Sequence, residues 1–337
     1  MGVKLGDLVP KKQITFESLA GETIAIDFSN SAFQFLSSIR QPDGTPLMDS
    51  KGRITSHLMG IWTRFSNLIQ QNVNLVIVLD GKPPILKVKE QEERAYRKSI
   101  AREKYEKAKA AEDLELMAKY AKQTSHLSKE MVDESKGLIE AMGLPVIQAP
   151  SEADAQMACM NQNNDVWACA SSDYDCLIHG APRLVTNLTL SQRRKLPSGA
   201  YIKITPETIE LDDALKSLQI NQDQLLAIAL LVGTDYHEGV PRIGPKTALK
   251  LVKQYHDFDT LFREVKADFN WKQIYAVFKS MPVMKNYQIR WQDPDEGRIK
   301  KILIDEHDFS EERVNNTLSK LLKKKEEKSQ SGLDKWI

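Results

Sequence analysis

Five short apolar runs, separated by longer stretches of helical character, constrain this chain more than any other feature. They are TIAIDFS at 23–29, NLVIVLDG at 74–81, LPVIQAP at 144–150, DVWACASS at 165–172 and RLVTN at 183–187. Their Val, Ile and Leu residues run on continuously instead of alternating with polar ones. That is the pattern of strands buried on both faces, as in a parallel sheet covered by helices. RITSHLMGIWTRFSNLIQQN at 53–72, and the stretch from Glu152 to about Asn163, read as helices between them. The predicted fold class is therefore α/β, with a mostly parallel central sheet flanked by helices. In such sheets ligands gather outside the carboxyl ends of the strands.

Acidic residues stand at those ends. Asp27 follows IAI, Asp80 follows LVIVL, and Asp173 and Asp175 follow WACASS. Glu152 and Asp154 follow LPVIQA, and Asp235 follows an apolar helix-like run and a glycine. One strand-end acid is ordinarily a turn or cap residue. Several at one sheet edge repel each other, and a bound cation is the simple way to keep them ionised together. Oxygen donors without His or Cys favour Mg²⁺ or Mn²⁺ over Zn²⁺. So many acids suit a two-ion site, which fits in-line displacement at a phosphodiester.

QAPSEADAQMACM at 148–160 reads two ways. Ser151 with Asp154 three residues on fits a capping box, with Ala153, Met157 and Met160 as the buried stripe. Alternatively, Glu152 and Asp154 lean past the helix start toward one cation, because helical side chains tilt toward the N-terminus.

The net charge of +1 conceals local imbalance: residues 82–130 carry 13 Lys/Arg against 9 Asp/Glu. Polyanion binding depends on such local fields. From about 87 to 127 there is no strand signal, and Leu114, Met117 and Ala121 form only a thin apolar stripe, so a solvated helical excursion is expected. Cys159, Cys169 and Cys176 lack a Cys-x-x-Cys pair, which fits a reducing compartment. No window has the roughly 18 apolar residues of a membrane span, and the N-terminus lacks a signal-peptide pattern. SKLLKKKEEKSQSG at 319–332 reads as a charged, loosening tail.

EGVPRIGPKTALKLVKQY at 238–255 fits a helix-hairpin-helix. Gly239 and Gly244 would let backbone amides approach a phosphate at a helix N-terminus, with Lys246 adding charge. Such contacts carry no base sequence.

Assembled in order, IAIDFSNSAFQFL, TSHLMGIW, LDGKPPILK, APSEADAQ, SSDYDCL, LVGTDY, GVPRIGPKTALKLV and QSGLDKWI resemble the flap endonuclease 1 family in its archaeal form, over nearly the whole chain. The resemblance implies two Mg²⁺, with Mn²⁺ as a substitute, on Asp27, Asp80, Glu152, Asp154, Asp173, Asp175 and Asp235. It makes the excursion after DGKPP an arch over the site, with Lys87 and Arg94 at its base stabilising the transition-state phosphate. Phe33 stands where the family has a stacking Tyr. Arg40 would contact a phosphate nearby, and a processed Gly2 would lie near the substrate junction. K⁺ at the hairpin is a further implication. Asp154 replaces a common Glu, one methylene longer, so its metal contact is expected through water and Glu152 is expected to be the direct ligand. Gln330, Leu333, Trp336 and Ile337 fit a sliding-clamp-binding motif forming one 3₁₀ turn.

The organisation expected is an N-terminal nuclease region at 1–98, the arch at 85–128, and an internal nuclease region at 116–258 carrying the hairpin at 225–255. A C-terminal helical region at 259–328 and the clamp motif at 330–337 complete it. The expected activity is a structure-specific 5′ flap endonuclease with 5′→3′ exonuclease action. Its partners would be flapped DNA and a sliding clamp, with no membrane; the protein would be a monomer and cytoplasmic, or nuclear if eukaryotic. An aspartyl-phosphate phosphatase would need a second acid two residues after Asp27, where Ser29 stands.

Overall fold

A computed structural model describes the chain except residues 1, 2, 4, 42, 112, 114, 115, 117, 118, 121–123, 125, 191, 192, 196–200 and 334–337. The backbone alone is described at 88–95, 97, 109, 193–195 and 324–333. The arch stripe residues Leu114, Met117 and Ala121 thus fall outside the described residues.

Among the described residues there are nine strands: β1 Lys12–Gln13, β2 Thr23–Asp27, β3 Asn74–Leu79, β4 Val146–Gln148, β5 Ala168–Ala170, β6 Arg183–Thr186, β7 Arg193–Lys195, β8 Tyr201–Lys203 and β9 Glu207–Glu210. Seven form one sheet in the order β1-β9-β6-β5-β2-β3-β4. Pairs from β4 through β6 are parallel; β9 pairs antiparallel with β6, and β1 with β9. All five predicted strands are present as the parallel set. β1, β9 and the separate β7–β8 hairpin were not predicted, because they are short and carry no apolar run.

Seven helices matter to the argument: α1 Phe28–Ser38, α2 Val88–Ala110, α3 Lys129–Ala141, α4 Ala153–Gln162, α5 Gln222–Val232, α6 Pro245–Gln254 and α7 Glu311–Leu333. Successive strand residues face opposite sides. Ala25, Val76, Val78 and Cys169 pack in one core with Met157, Leu226 and Leu230 of α4 and α5. Their neighbours Ile24, Ile26, Ile77 and Ala168 pack in the other with Phe35, Leu138 and Leu318 of α1, α3 and α7. Burial on both faces is the reason these runs are continuously apolar. The predicted helix at 53–72 spans 56–70 and contains a π-helical stretch, Ile61–Phe65.

The tail reading at 319–332 is corrected, since the α7 backbone stays helical to Leu333. Its Leu, Lys and Glu residues are good helix formers, and that propensity outweighs the like charge of the lysine run. Among the described residues no helix is long and apolar enough to cross a membrane.

Candidate active site

β4, β3, β2 and β5 are neighbours, and the chain leaves each toward the same edge through an acid-bearing segment. Asp27 ends β2 and caps α1: its carboxylate accepts from the Asn30 amide at 3.0 Å. The Asn30 side chain then ties β2 to the loop after β5. It donates to Asp173 Oδ2 at 3.2 Å and accepts from the Ser172 amide and hydroxyl at 3.1 and 2.9 Å. Asp80, beyond β3, accepts from the Ala153 amide at 2.8 Å. An acid from another strand thereby caps the start of α4, where the helix dipole favours negative charge.

That contact corrects the capping-box reading of 148–160. Glu152 is the N-cap residue and makes no side-chain cap, while the Ser151 hydroxyl donates to the Lys82 carbonyl at 3.1 Å. Two backbone bonds, Gly81 N to Ser151 O at 2.6 Å and Lys82 N to Pro150 O at 3.2 Å, draw these segments together. A Cβ on Gly81 would lie 2.1 Å from the Ala149 carbonyl oxygen, so only glycine fits beside Asp80.

Glu152 is held at both oxygens. Lys87 Nζ donates to Oε1 at 2.6 Å and the Tyr236 hydroxyl to Oε2 at 2.7 Å. Lys87 also lies 3.1 Å from Asp235 Oδ2, so one ammonium bridges two half-buried carboxylates. Such charge-assisted contacts are the stronger class of hydrogen bond. Burial lowers the Lys87 pKa, but Glu152 and Asp235 outweigh it and hold the group cationic. Asp175 accepts from the Val3 amide at 2.9 Å, which brings the N-terminal segment to the site. Asp154 accepts from the Cys176 thiol at 2.9 Å.

Asp27 is only 7% exposed. Burial, then the Asp80 carboxylate, push its carboxyl up to about 8. Burial likewise pushes Asp175 up to about 7, with Asp173 and Asp235 adding to it against the Val3 amide. Asp154 is held well above the carboxylate range by burial and by Cys176. Burial and mutual repulsion thus hold these acids toward their protonated forms, and an added cation would favour ionisation.

The donors fit a hard divalent ion: they are oxygens, and the chain's own cation already lies between two of them. Among the described residues no three His, Cys, Asp or Glu side chains close into a metal cage. The fit therefore rests on donor chemistry and charge.

Phe33 is 39% exposed on α1, with Lys98 Nζ of α2 lying 5.3 Å from its ring centroid. Arg40 is half-buried and donates to the Gly44 carbonyl at 2.7 Å. The Ile85–Lys87 turn leads directly into α2, which carries Arg94 in its backbone; the Arg94 side chain lies outside the described part. Gly2, Trp336 and Ile337 also lie outside the described residues, and Gln330 and Leu333 fall in the helical backbone of α7.

At the hairpin, α5 and α6 pack together. Gly239 has φ +83°, and a Cβ there would come within 2.4 Å of the Val232 backbone. Gly244 has an ordinary φ of −91° and caps α6, with open space where a side chain would stand. Its role is to leave the α6 N-terminus bare, with exposed Lys246 next to it. Asn30, Cys176 and Tyr236 went unpredicted. The signal for Asn30 was its place three residues after a capping Asp, and for Tyr236 its place next to Asp235.

Family models of the XPG N-terminal domain and the XPG I-region match residues 1–101 and 143–235. The chain is 47% identical to flap endonuclease 1 of Pyrococcus horikoshii, over all of this chain and 98% of that protein. It is 46% identical to that of Hyperthermus butylicus, over all of this chain and 99% of that one. The solved structure of flap endonuclease-1 from Methanococcus jannaschii superposes with a TM-score of 0.77 at 39% identity, covering 97% of this chain and all of that one. The catalytic core of Rad2 in complex with a DNA substrate shares the fold: TM-score 0.71, 20% identity, 95% of this chain and all of that one. A sheet edge lined with carboxylates, a lysine at the base of a long helix and these likenesses agree, and the chain belongs to the flap endonuclease 1 family of structure-specific 5′ nucleases.

Proposed function

We propose that the chain removes 5′ flaps from duplex DNA at a junction, leaving a 5′-phosphate and a 3′-hydroxyl, and trims nicked or gapped duplexes 5′→3′. The observation that carries this reading is the carboxylate edge with Lys87 lying across Glu152 and Asp235. Asp27, Asp80, Glu152, Asp154, Asp173, Asp175 and Asp235 would hold two Mg²⁺, or Mn²⁺ in their place. When bound, such ions supply Lewis-acid charge at the phosphodiester and an acidified water.

The chain's own residues do the rest. Lys87 and Arg94 offer fixed positive charge where the phosphate accumulates negative charge. Phe33 presents an aromatic face on which a base can stack, and the basic 82–130 segment admits a single strand. Arg40 and a processed Gly2 contact the junction. Gly239, Gly244 and Lys246 hold the duplex by its backbone, which gives shape specificity without base reading; a K⁺ in the hairpin would reinforce this. Gln330, Leu333, Trp336 and Ile337 would dock on a sliding clamp. The role is Okazaki-fragment maturation and long-patch base-excision repair, by a monomer working on the chromosome in the cytoplasm.

The test is to compare labelled flap, bubble and four-way-junction DNAs at equal Mg²⁺. The flap should be cut at least tenfold faster than the others. Preference for the bubble or the junction would reassign the chain to an excision-repair or junction-resolving activity.

A further inference from the structure

The Glu152 carboxylate is divided between two donors that come from different parts of the chain. Lys87 reaches Oε1 from the base of α2, and Tyr236 reaches Oε2 from the loop after α5. A carboxylate gripped at both oxygens cannot rotate about its last bond without losing a short hydrogen bond. Tyr236 is itself fixed. Its amide donates to the Thr234 hydroxyl at 3.1 Å, and its ring meets Phe278 edge-on at 5.3 Å. Phe278 is buried on the helix Trp271–Lys279. The residue before Tyr236 in sequence, Asp235, takes the other side of Lys87. Lysine is also a cation that competes for the same oxygens, whereas a neutral hydroxyl donor does not. Tyr236 is therefore the donor that can stay on Glu152 when a divalent ion takes up the rest of its lone pairs.

We propose that Tyr236 is a positioning residue of the nuclease reaction, its hydroxyl orienting Glu152 toward the divalent ion. This rests on the metal-dependent reading above. Hydrogen-bond partners of metal-binding carboxylates typically contribute about 10–100-fold to ion affinity or activity.

Tyr236→Phe keeps the ring and deletes only the donor. Mn²⁺ binding to the full chain, measured by calorimetry without DNA, should weaken by about tenfold or more. The Mg²⁺ concentration for half-maximal flap cleavage should rise in step, and flap affinity in EDTA should stay within about twofold of wild type. Phe278→Leu removes the ring partner and keeps the hydroxyl; it should lower thermal stability and cost clearly less Mn²⁺ affinity than Tyr236→Phe does. Unchanged Mn²⁺ affinity in Tyr236→Phe overturns the proposal. So does an equal loss of Mn²⁺ affinity in Phe278→Leu, which would make the effect one of packing. If wild type binds no Mn²⁺ at all, the metal reading fails before this one is reached.

Discussion

Replacing Asp27 by Asn tests what it costs to ionise a buried acid at the sheet edge. Asp27 is an acid whose folded pKa, about 8, lies above its unfolded value of 3.8. Below pH 4 both states hold the proton and the group is neutral to stability. As pH rises the unfolded chain releases its proton first, so the ion-free fold loses stability between about pH 4 and pH 8. Each pKa unit is worth about 1.4 kcal/mol, which sets a ceiling of roughly 5 kcal/mol at pH 8. Asp80 and Asp173 share that repulsion, so about 2–4 kcal/mol is expected from the single change. Asn keeps an oxygen to accept from the Asn30 amide, so the cap on α1 survives. Urea unfolding in EDTA, which avoids the charge screening of guanidinium salts, should show Asp27→Asn more stable than wild type at pH 8 and nearly equal at pH 4. Adding Mg²⁺ should then stabilise wild type more than the variant. Equal stability at pH 8, or a wild type that gains on the variant as pH rises, would refute the reasoning.

Other perturbations probe the frame around the site. Gly81→Ala would put a methyl 2.1 Å from a backbone carbonyl; a loss of about 1–3 kcal/mol follows from overpacking. A shift of Asp80 on the order of 1 Å should lower single-turnover flap cleavage about 100-fold, so near-normal cleavage would contradict the close-approach argument. Asp49 accepts from Arg53 Nε at 2.7 Å and from the Lys51 and Arg53 amides. Burial raises its pKa, but these donors outweigh it and bring the carboxyl down to about 2. A depressed acid stabilises above its unfolded pKa and stops doing so as pH falls toward 2. The stability gap between wild type and Asp49→Asn should therefore narrow between pH 5 and pH 2.5; a constant gap in urea unfolding would count against the Arg53 contact.

Much of this molecule was legible in its sequence because burial on both faces leaves a strong mark. The two-sided strands read as apolar runs, and four of the five runs lead into the acids that the sheet brings together. Strands β1 and β9 left no such mark: Lys12 and Gln13 are exposed, and β9 has a single apolar residue, Ile209, between polar ones. The capping box failed for a tertiary reason. Ser151 and Asp154 have the right spacing, but Asp80 arrives from β3 to bond the Ala153 amide, and Cys176 takes Asp154. Local spacing cannot report a partner dozens of residues away. Tyr236 was invisible for the same cause, since its contact with Glu152 spans 84 positions.

The central claim is that the strand-end carboxylates perform metal-dependent cleavage of flapped DNA. Asp173→Ala examines it most directly, with cleavage of a 5′-labelled flap in Mg²⁺ and binding of the same flap in EDTA measured side by side. Cleavage should fall by at least about 1,000-fold while affinity stays within about threefold. Undiminished cleavage by this variant would contradict the account.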